Sequence, residues 1–394
     1  MEGQELKYKF IVLADLHWGA MDSYKMYNNL QLVLEFIRQM KDSLDFIIIA
    51  GDYFDYRLQL NSKTALAAVQ WFDELVNTCR ESNIKKIRMF KGTREHDNDQ
   101  LEIFRPPYEL DDGYFKIFNT TESEELLPGL RCIYCPDENM NLSEYHQVYY
   151  SKFIPHPNIG FFHGNFDTIL PDIEFNRIQE HNLATMIYEY DKFSKLIKGP
   201  MISGHWHVKN EHKSLYYVGS YDRWKFNEEE DKGFIYGEID TDTNEYFIHR
   251  VNNPLATQYK TIIVSSDEYS TPEQFASLSN MINDYLKDDS EIKLRVSYLL
   301  SSNNDEALVN YNIFQRQYST CKQVKIEIKD LVKREAKKVK KKQVEIEASK
   351  YQYIFDSDLK NIPNIVHQFI LDNKSVDIPT ATIAKYINKY LENK

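Results

Sequence analysis

Five short stretches of this sequence carry residue types that hold divalent cations, and each follows an apolar run. They are Asp15-Leu-His17, Gly51-Asp52-Tyr-Phe-Asp55, Gly92-Thr-Arg-Glu95-His96-Asp97, Phe162-His163-Gly164 and Gly204-His205-Trp-His207. Taken singly, each has an ordinary reading. An Asp after a strand often caps the next helix. A D-x-H triplet arises readily by chance, and one His is usually a satisfied polar residue. The H-x-H pair says more, because alternate residues of a strand share a face. Taken together, the five offer mixed carboxylate and imidazole donors for two cations. Such a pair, ~3.5–4 Å apart, binds a phosphate oxygen, activates water and stabilises developing charge. Mixed N and O donors suit Mn²⁺ or Fe²⁺, with Mg²⁺ a further candidate, whereas an all-thiolate set would favour zinc. A neighbouring His can protonate the leaving oxygen.

The elements that must position these residues are legible as alternating strand and helix. Phe10–Ala14, Phe46–Ala50 and Ile84–Phe90 are apolar runs of strand length, ending at Asp15, Gly51-Asp52 and Lys91-Gly92. Between them, Tyr24–Met40 has Leu30, Val33, Leu34 and Ile37 at helical spacing, and Ser62–Cys79 is a second amphipathic helix with Ser62 as its cap. Leu130–Cys135, Asn158–Phe162, Met201–Ser203, Leu215–Gly219 and Gly233–Ile239 continue the strand series. This alternation predicts an α/β layered domain, whose chemistry gathers at the C-terminal ends of its strands.

After about Asn253 the character changes. Lys260–Val264 and Lys293–Leu299 read as strands around a helix near Thr271–Leu286, a small α+β unit. Between Lys322 and Lys342 the sequence carries ten Lys or Arg against three acidic residues, which reads as a basic linker. The last forty residues read as two short helices around Lys374–Pro379. Their apolar positions include Leu359, Ile362, Val366, Phe369, Ile383, Ile387 and Tyr390. So short a piece has little core of its own and is expected to bury that face on a partner.

Composition narrows the class. A chain of 394 residues is too long for one compact core and suggests two or more domains. Its formal net charge of −12 argues against simple tight wrapping of DNA, although metal ions, a basic patch or a partner can supply local positive charge. The four Cys are Cys79, Cys132, Cys135 and Cys321. They make no disulfide framework, and a lone C-x-x-C lacks the second pair that a zinc ribbon needs. Without a signal pattern or an apolar stretch approaching ~18 residues, the expectation is an intracellular, cytoplasmic protein with no membrane contact. His146, His156, His181 and His212 lack paired ligands at useful spacing and read as structural or surface residues.

The five fragments, in this order, resemble the calcineurin-like metallophosphoesterases, and more narrowly the SbcD-type repair nucleases and their phage recombination-endonuclease members. Tyr217-Val-Gly-Ser-Tyr-Asp-Arg223 followed by Glu228-Glu-Glu-Asp-Lys-Gly-Phe234 is similar to the segment after the last metal histidine in that family. The resemblance implies a two-sheet sandwich flanked by helices (1–253), a small α+β capping domain (254–330), a basic linker (331–352) and a helical tail (353–394) that binds an SMC-like, SbcC-type ATPase. It implies two Mn²⁺, one held by Asp15, His17, Asp52 and His207, the other by Asp52, Glu95, His163 and His205, with Asp52 bridging. His96 would be the phosphate-contacting acid, oriented by Asp97, and Asp55 would hold a ligand in place. The implied activity is double-strand exonuclease and single-strand endonuclease, on DNA. In that setting Arg57 and Arg94 are candidates for phosphate contacts. A homodimer through the first two helices would use Met26, Leu30, Leu66, Val69 and Phe72, unless those face the sheet.

One motif departs from the family. Gly-Asn-His-Asp is usual at the third position, but here it is Gly92-Thr-Arg-Glu-His-Asp97. Either Glu95 ligates through its carboxylate, or it turns away and leaves the site a ligand short. The second case keeps open a DNA-end-binding scaffold with impaired catalysis. A phosphoesterase acting on small phosphodiesters is the other alternative.

Overall fold

The computed structural model describes residues 6–109, 113–138, 140–169, 187–289, 291–300 and 305–330. The expected linker and helical tail lie outside the described residues, as does His181.

Two six-stranded sheets form the first unit. One contains β1 (Lys7–Leu13), β2 (Phe46–Ala50), β3 (Lys86–Phe90) and β4 (Phe115–Phe118), all mutually parallel, extended beyond β1 by antiparallel β13 (Gly233–Asp240) and β14 (Tyr246–Asn252). The other has a parallel centre of β6 (Leu130–Cys135), β7 (Ile159–His163), β10 (Met201–Gly204) and β12 (Leu215–Tyr217), closed by antiparallel β5 (Glu122–Leu127) and β11 (Asn210–His212). A short pair, β8 (Asn165–Phe166) and β9 (Ile187–Tyr188), follows β7.

The layers follow from the two-residue period of a strand. In β1 and β2, Phe10, Val12, Phe46 and Ile48 face the other sheet and pack with Phe90, Tyr134, Phe161 and Ile202. The alternate residues Ile11, Leu13, Ile47 and Ile49 face the helices α1 (Ser23–Gln39) and α2 (Lys63–Glu81), which contribute Leu30, Val33, Leu34, Trp71 and Phe72. A third apolar layer, including Ile133, Phe162, Tyr188 and Phe193, covers the outer face of the second sheet. The result is the expected helix-flanked sandwich. The caps behave as read: the Ser62 hydroxyl accepts from the Ala65 N–H at the start of α2. Cys132 and Cys135 are buried, free thiols within β6.

The dimer expectation meets a partial correction here. Met26, Leu30 and Phe72 are buried in the unit's own core, and Val69 is partly buried against it. Of the five, only Leu66 is well exposed.

The second compact unit comprises Ile262–Asn283 and the described residues from Val296 on. Its elements are a three-stranded sheet ordered β15 (Tyr259–Ser265), β16 (Lys293–Leu300), β17 (Val324–Asp330), with helices Pro272–Asp288 and Asp305–Gln317. Phe275, Leu278, Ile282, Val296, Tyr298, Tyr311 and Phe314 are among its buried apolar residues. Among the described residues, no helix is long and apolar enough to cross a membrane.

Candidate metal centre

Parallel strands deliver their C-terminal ends to one edge of a sheet, and here both sheets do so. The loops after β1 and β2 are stitched together by main-chain hydrogen bonds: Asp15 N–H to Gly51 O (3.1 Å), His17 N–H to Asp52 O (3.0 Å) and Asp55 N–H to Trp18 O (3.1 Å). One link to the second sheet is the His205 N–H, which donates to the Asp15 carboxylate at 2.9 Å. Trp18 is fully buried and belongs to the core rather than to a substrate channel.

Beside a His17–Asp55–His96 group, two donor clusters result, Asp15 with His17 and His207, and Asp52 with His163 and His205, the ligand atoms of each of the three lying within 4.8 Å of one another. Asp52 stands between them: its Oδ2 is 3.2 Å from His163 Nε2 and 3.8 Å from His17 Nε2. The backbone is strained to achieve this. Asp15 (φ 50°), His17 (φ 51°), Asp52 (φ 50°) and His205 (φ 86°) all occupy the left-handed region. Such conformations cost roughly 1–3 kcal/mol each and concentrate where function demands them.

Tautomers are set from outside the clusters. His163 Nδ1 lies 2.8 Å from the Ala50 carbonyl, and His207 Nδ1 lies 3.0 Å from Glu228 Oε1. Both partners accept, so each Nδ1 carries a hydrogen and each Nε2 is the nitrogen that faces inward. His17 Nδ1 contacts the Asp55 carboxylate at 3.1 Å, though not in the alignment of a hydrogen bond. Asp55 thus sits where a ligand-holding residue is expected. His17 Nε2 and His207 Nε2 are only 2.9 Å apart. Buried nitrogen lone pairs and carboxylates converging in this way fit a divalent cation by the chemistry of the donors.

Electrostatics agree. Burial alone would raise Asp52, but the adjacent His163 outweighs it and holds the carboxyl well below its usual range. Burial lowers His163, and Asp52 more than reverses this, holding the imidazole up at about 10. His205 is pushed down to about 3 by burial and by the charge of His163. Burial raises Asp15.

Two expectations are corrected. Glu95 is exposed and belongs to neither donor cluster. Thr93 takes that place: its N–H donates to Asp52 Oδ1 (2.6 Å), and its hydroxyl lies 3.2 Å from Asp52 Oδ2, 3.4 Å from His163 Nε2 and 3.5 Å from His205 Nδ1. Both residues added to the motif, Arg94 and Glu95, bulge outward, and the residue after Gly92 stays at the site. Asp97 does not orient His96. Its carboxylate accepts from the Gly92 N–H (2.7 Å) and the Phe54 N–H (3.1 Å), which staples the third loop to the second. Burial, with the nearby Asp52 charge, pushes Asp97 up to about 7. His96 is held through Nδ1 by the Asp55 main-chain carbonyl, with its ring 4.6 Å from that of His17.

Glu228 and Asp137 were not singled out by sequence. Asp137 follows β6, whose register with β7 pairs Cys135 with Phe162 and so brings Asp137 up beside His163. Arg57 and Arg94 are exposed. His146 stacks on Phe193 and His212 meets the edge of Tyr190, as structural residues do.

A Cβ on Gly92 would lie 2.1 Å from Asp52 N and 2.3 Å from Asp52 Oδ1. Gly92→Ala should therefore displace Asp52 and destabilise the fold by ~3 kcal/mol or more. A melting temperature within 2 °C of the native protein's, read beside unchanged metal content, is the contrary result.

The chain belongs to the calcineurin-like phosphoesterase family, whose model matches residues 8–240. No curated protein matches the chain as a relative. With the donor clusters above, family membership makes it a metal-dependent phosphoesterase with a dinuclear site.

Proposed function

We propose that this phosphoesterase is a DNA nuclease, a double-strand exonuclease and single-strand endonuclease that works with an SMC-like ATPase in DNA end processing. The observation that carries the reading is the position of the SbcD-like segment. Tyr217–Phe234 resembles that family in sequence, and it wraps the metal centre: Glu228 holds His207, and the Trp224 ring lies 5.9 Å from His17. The small α+β unit follows the phosphoesterase domain, as a capping domain does, and the basic stretch and apolar tail come next in sequence. A small-substrate enzyme needs neither.

In this reading Asp15, His17, Asp52 and His207 would hold one ion, and Asp52, His163 and His205 the other, with the Thr93 hydroxyl at its edge. Two Mn²⁺, or Mg²⁺ or Fe²⁺, supply Lewis acidity and an acidified water when bound. Asp52 supplies the charge that both sites share. His96, held through Nδ1, keeps Nε2 for the leaving oxygen. Arg57 and Arg94 contact backbone phosphates, which adds affinity without sequence preference. The tail helices dock on the ATPase, and a second copy pairs through the outer surface of α1 and α2, where Tyr24 and Leu66 are exposed.

The test is Mn²⁺-dependent degradation of linear double- and single-stranded DNA by the full chain, alone and with an ATPase of the proposed type. Cleavage of DNA supports the nuclease. Hydrolysis of a small phosphodiester with DNA left intact under both conditions replaces it with a small-substrate enzyme. DNA-end binding without hydrolysis of either substrate replaces it with a scaffold.

A further inference from the structure

The His207 side chain is 20 % exposed, and β10 ends at Gly204, before it. Something other than the sheet must therefore fix its ring. The candidates are the groups that touch it. Glu228 Oε1 takes Nδ1 at 3.0 Å, and its side chain is nearly inaccessible to solvent. Glu228 Oε2 accepts from the Trp224 N–H at 3.1 Å and lies 3.4 Å from Lys232 Nζ. Lys232, itself buried, donates to the His207 main-chain carbonyl at 2.7 Å. One loop thus grips His207 twice, by ring and by main chain.

That loop is anchored at its other side. The Asp222 carboxylate accepts from the Thr257 N–H at 2.7 Å and from Asn29 Nδ2 at 2.6 Å. The Arg223 guanidinium donates to the Thr257 carbonyl at 3.2 Å, and the Lys232 carbonyl accepts from the Asn253 N–H at 2.7 Å. Glu228 Oε1 engages Nδ1, which leaves Nε2 of His207 facing the centre.

We infer that Glu228 is a positioning residue of the metal centre: it fixes the tautomer and the aim of His207, and so sets the affinity of the Asp15–His17–His207 site apart from that of the other. The inference rests on the two-ion reading of the centre. Carboxylates placed behind a ligating histidine in this way typically govern 10–100-fold in metal affinity.

The experiment is calorimetric titration of the metal-free full chain with Mn²⁺, beside NMR assignment of the His207 tautomer before metal is added. The native chain should bind two ions, with His207 protonated on Nδ1. Glu228→Ala should keep one site at native affinity, weaken the other by about 10–100-fold and leave His207 in mixed tautomers. Glu228→Gln retains an acceptor oxygen and should lose less than about tenfold, which separates aim from charge. Two native-affinity sites in Glu228→Ala would overturn the inference. So would equal weakening of both sites with an unaltered tautomer, the mark of a purely structural role. A native chain that binds no Mn²⁺ would instead remove the two-ion reading, and the inference with it.

Discussion

Asp52→Asn is expected to lower phosphoester hydrolysis by about 10³-fold or more, which corresponds to roughly 4 kcal/mol of transition-state stabilisation. Asp52 Oδ2 is the atom that faces both clusters, at 3.2 Å from His163 Nε2 and 3.8 Å from His17 Nε2. An amide at that position brings no charge, and one of its two ends is a donor that cannot ligate. The fold should survive, because Asn Oδ1 can still accept from the Thr93 N–H, which now donates at 2.6 Å. A second readout separates loss of charge from misfolding. In the metal-free native chain His163 titrates near 10, held up by Asp52 against the opposing effect of burial. A histidine raised above its unfolded value of ~6.5 stabilises the fold fully below that pH and loses the contribution as pH rises through 10. The Asn variant removes the counterion, so His163 should be neutral at pH 8 by NMR, and the slope of stability between pH 7 and 10 should flatten. Activity within tenfold of the native chain, with His163 still protonated at pH 8, would refute the bridging role.

Why most of this centre was legible in sequence, and part of it was not, has a physical basis. Strands β2 and β6 match their sequence readings residue for residue: β2 is an unbroken apolar run buried on both faces, and β6 is buried at every position but Arg131. Six ligand candidates sit directly after such runs, so finding the strand end located them. Strands β4, β5 and β14 escaped because they are short, edge-placed or half-exposed, as in Glu122–Leu127 with four partly or fully exposed positions of six. Thr93 was missed because the motif was read backwards from His96. Counting forwards from Gly92, whose close approach to Asp52 tolerates no side chain, would have found it. Glu228 gave no signal of its own: it is one of three consecutive glutamates, and only the fold shows which one turns inward beneath His207. Asp97 reads as a histidine's partner by adjacency, yet its two oxygens are consumed by main-chain N–H groups that hold two loops together.

His96→Ser is expected to lower kcat by about 10²–10⁴-fold while leaving metal content unchanged. The two effects part company because neither cluster proposed for the ions includes His96, which groups instead with Asp55 and His17, its ring 4.6 Å from that of His17. Its Nδ1 is engaged by the Asp55 carbonyl, an acceptor, so Nε2 is the atom left to exchange a proton with substrate. Serine fills less space and has no group that titrates near neutrality, so it removes proton transfer without adding charge beside the ions. The leaving group provides the decisive comparison. A good leaving group, such as a nitrophenolate, departs without a proton, whereas a sugar alkoxide needs one. Loss in the variant should therefore be large on DNA or an alkyl phosphodiester and small on a nitrophenyl ester. Equal loss on both would mean that His96 supports the ion-binding face of His17 and is no acid. The metal titration would then show weakening at the Asp15–His17–His207 site, through the Asp55 loop that touches both histidines.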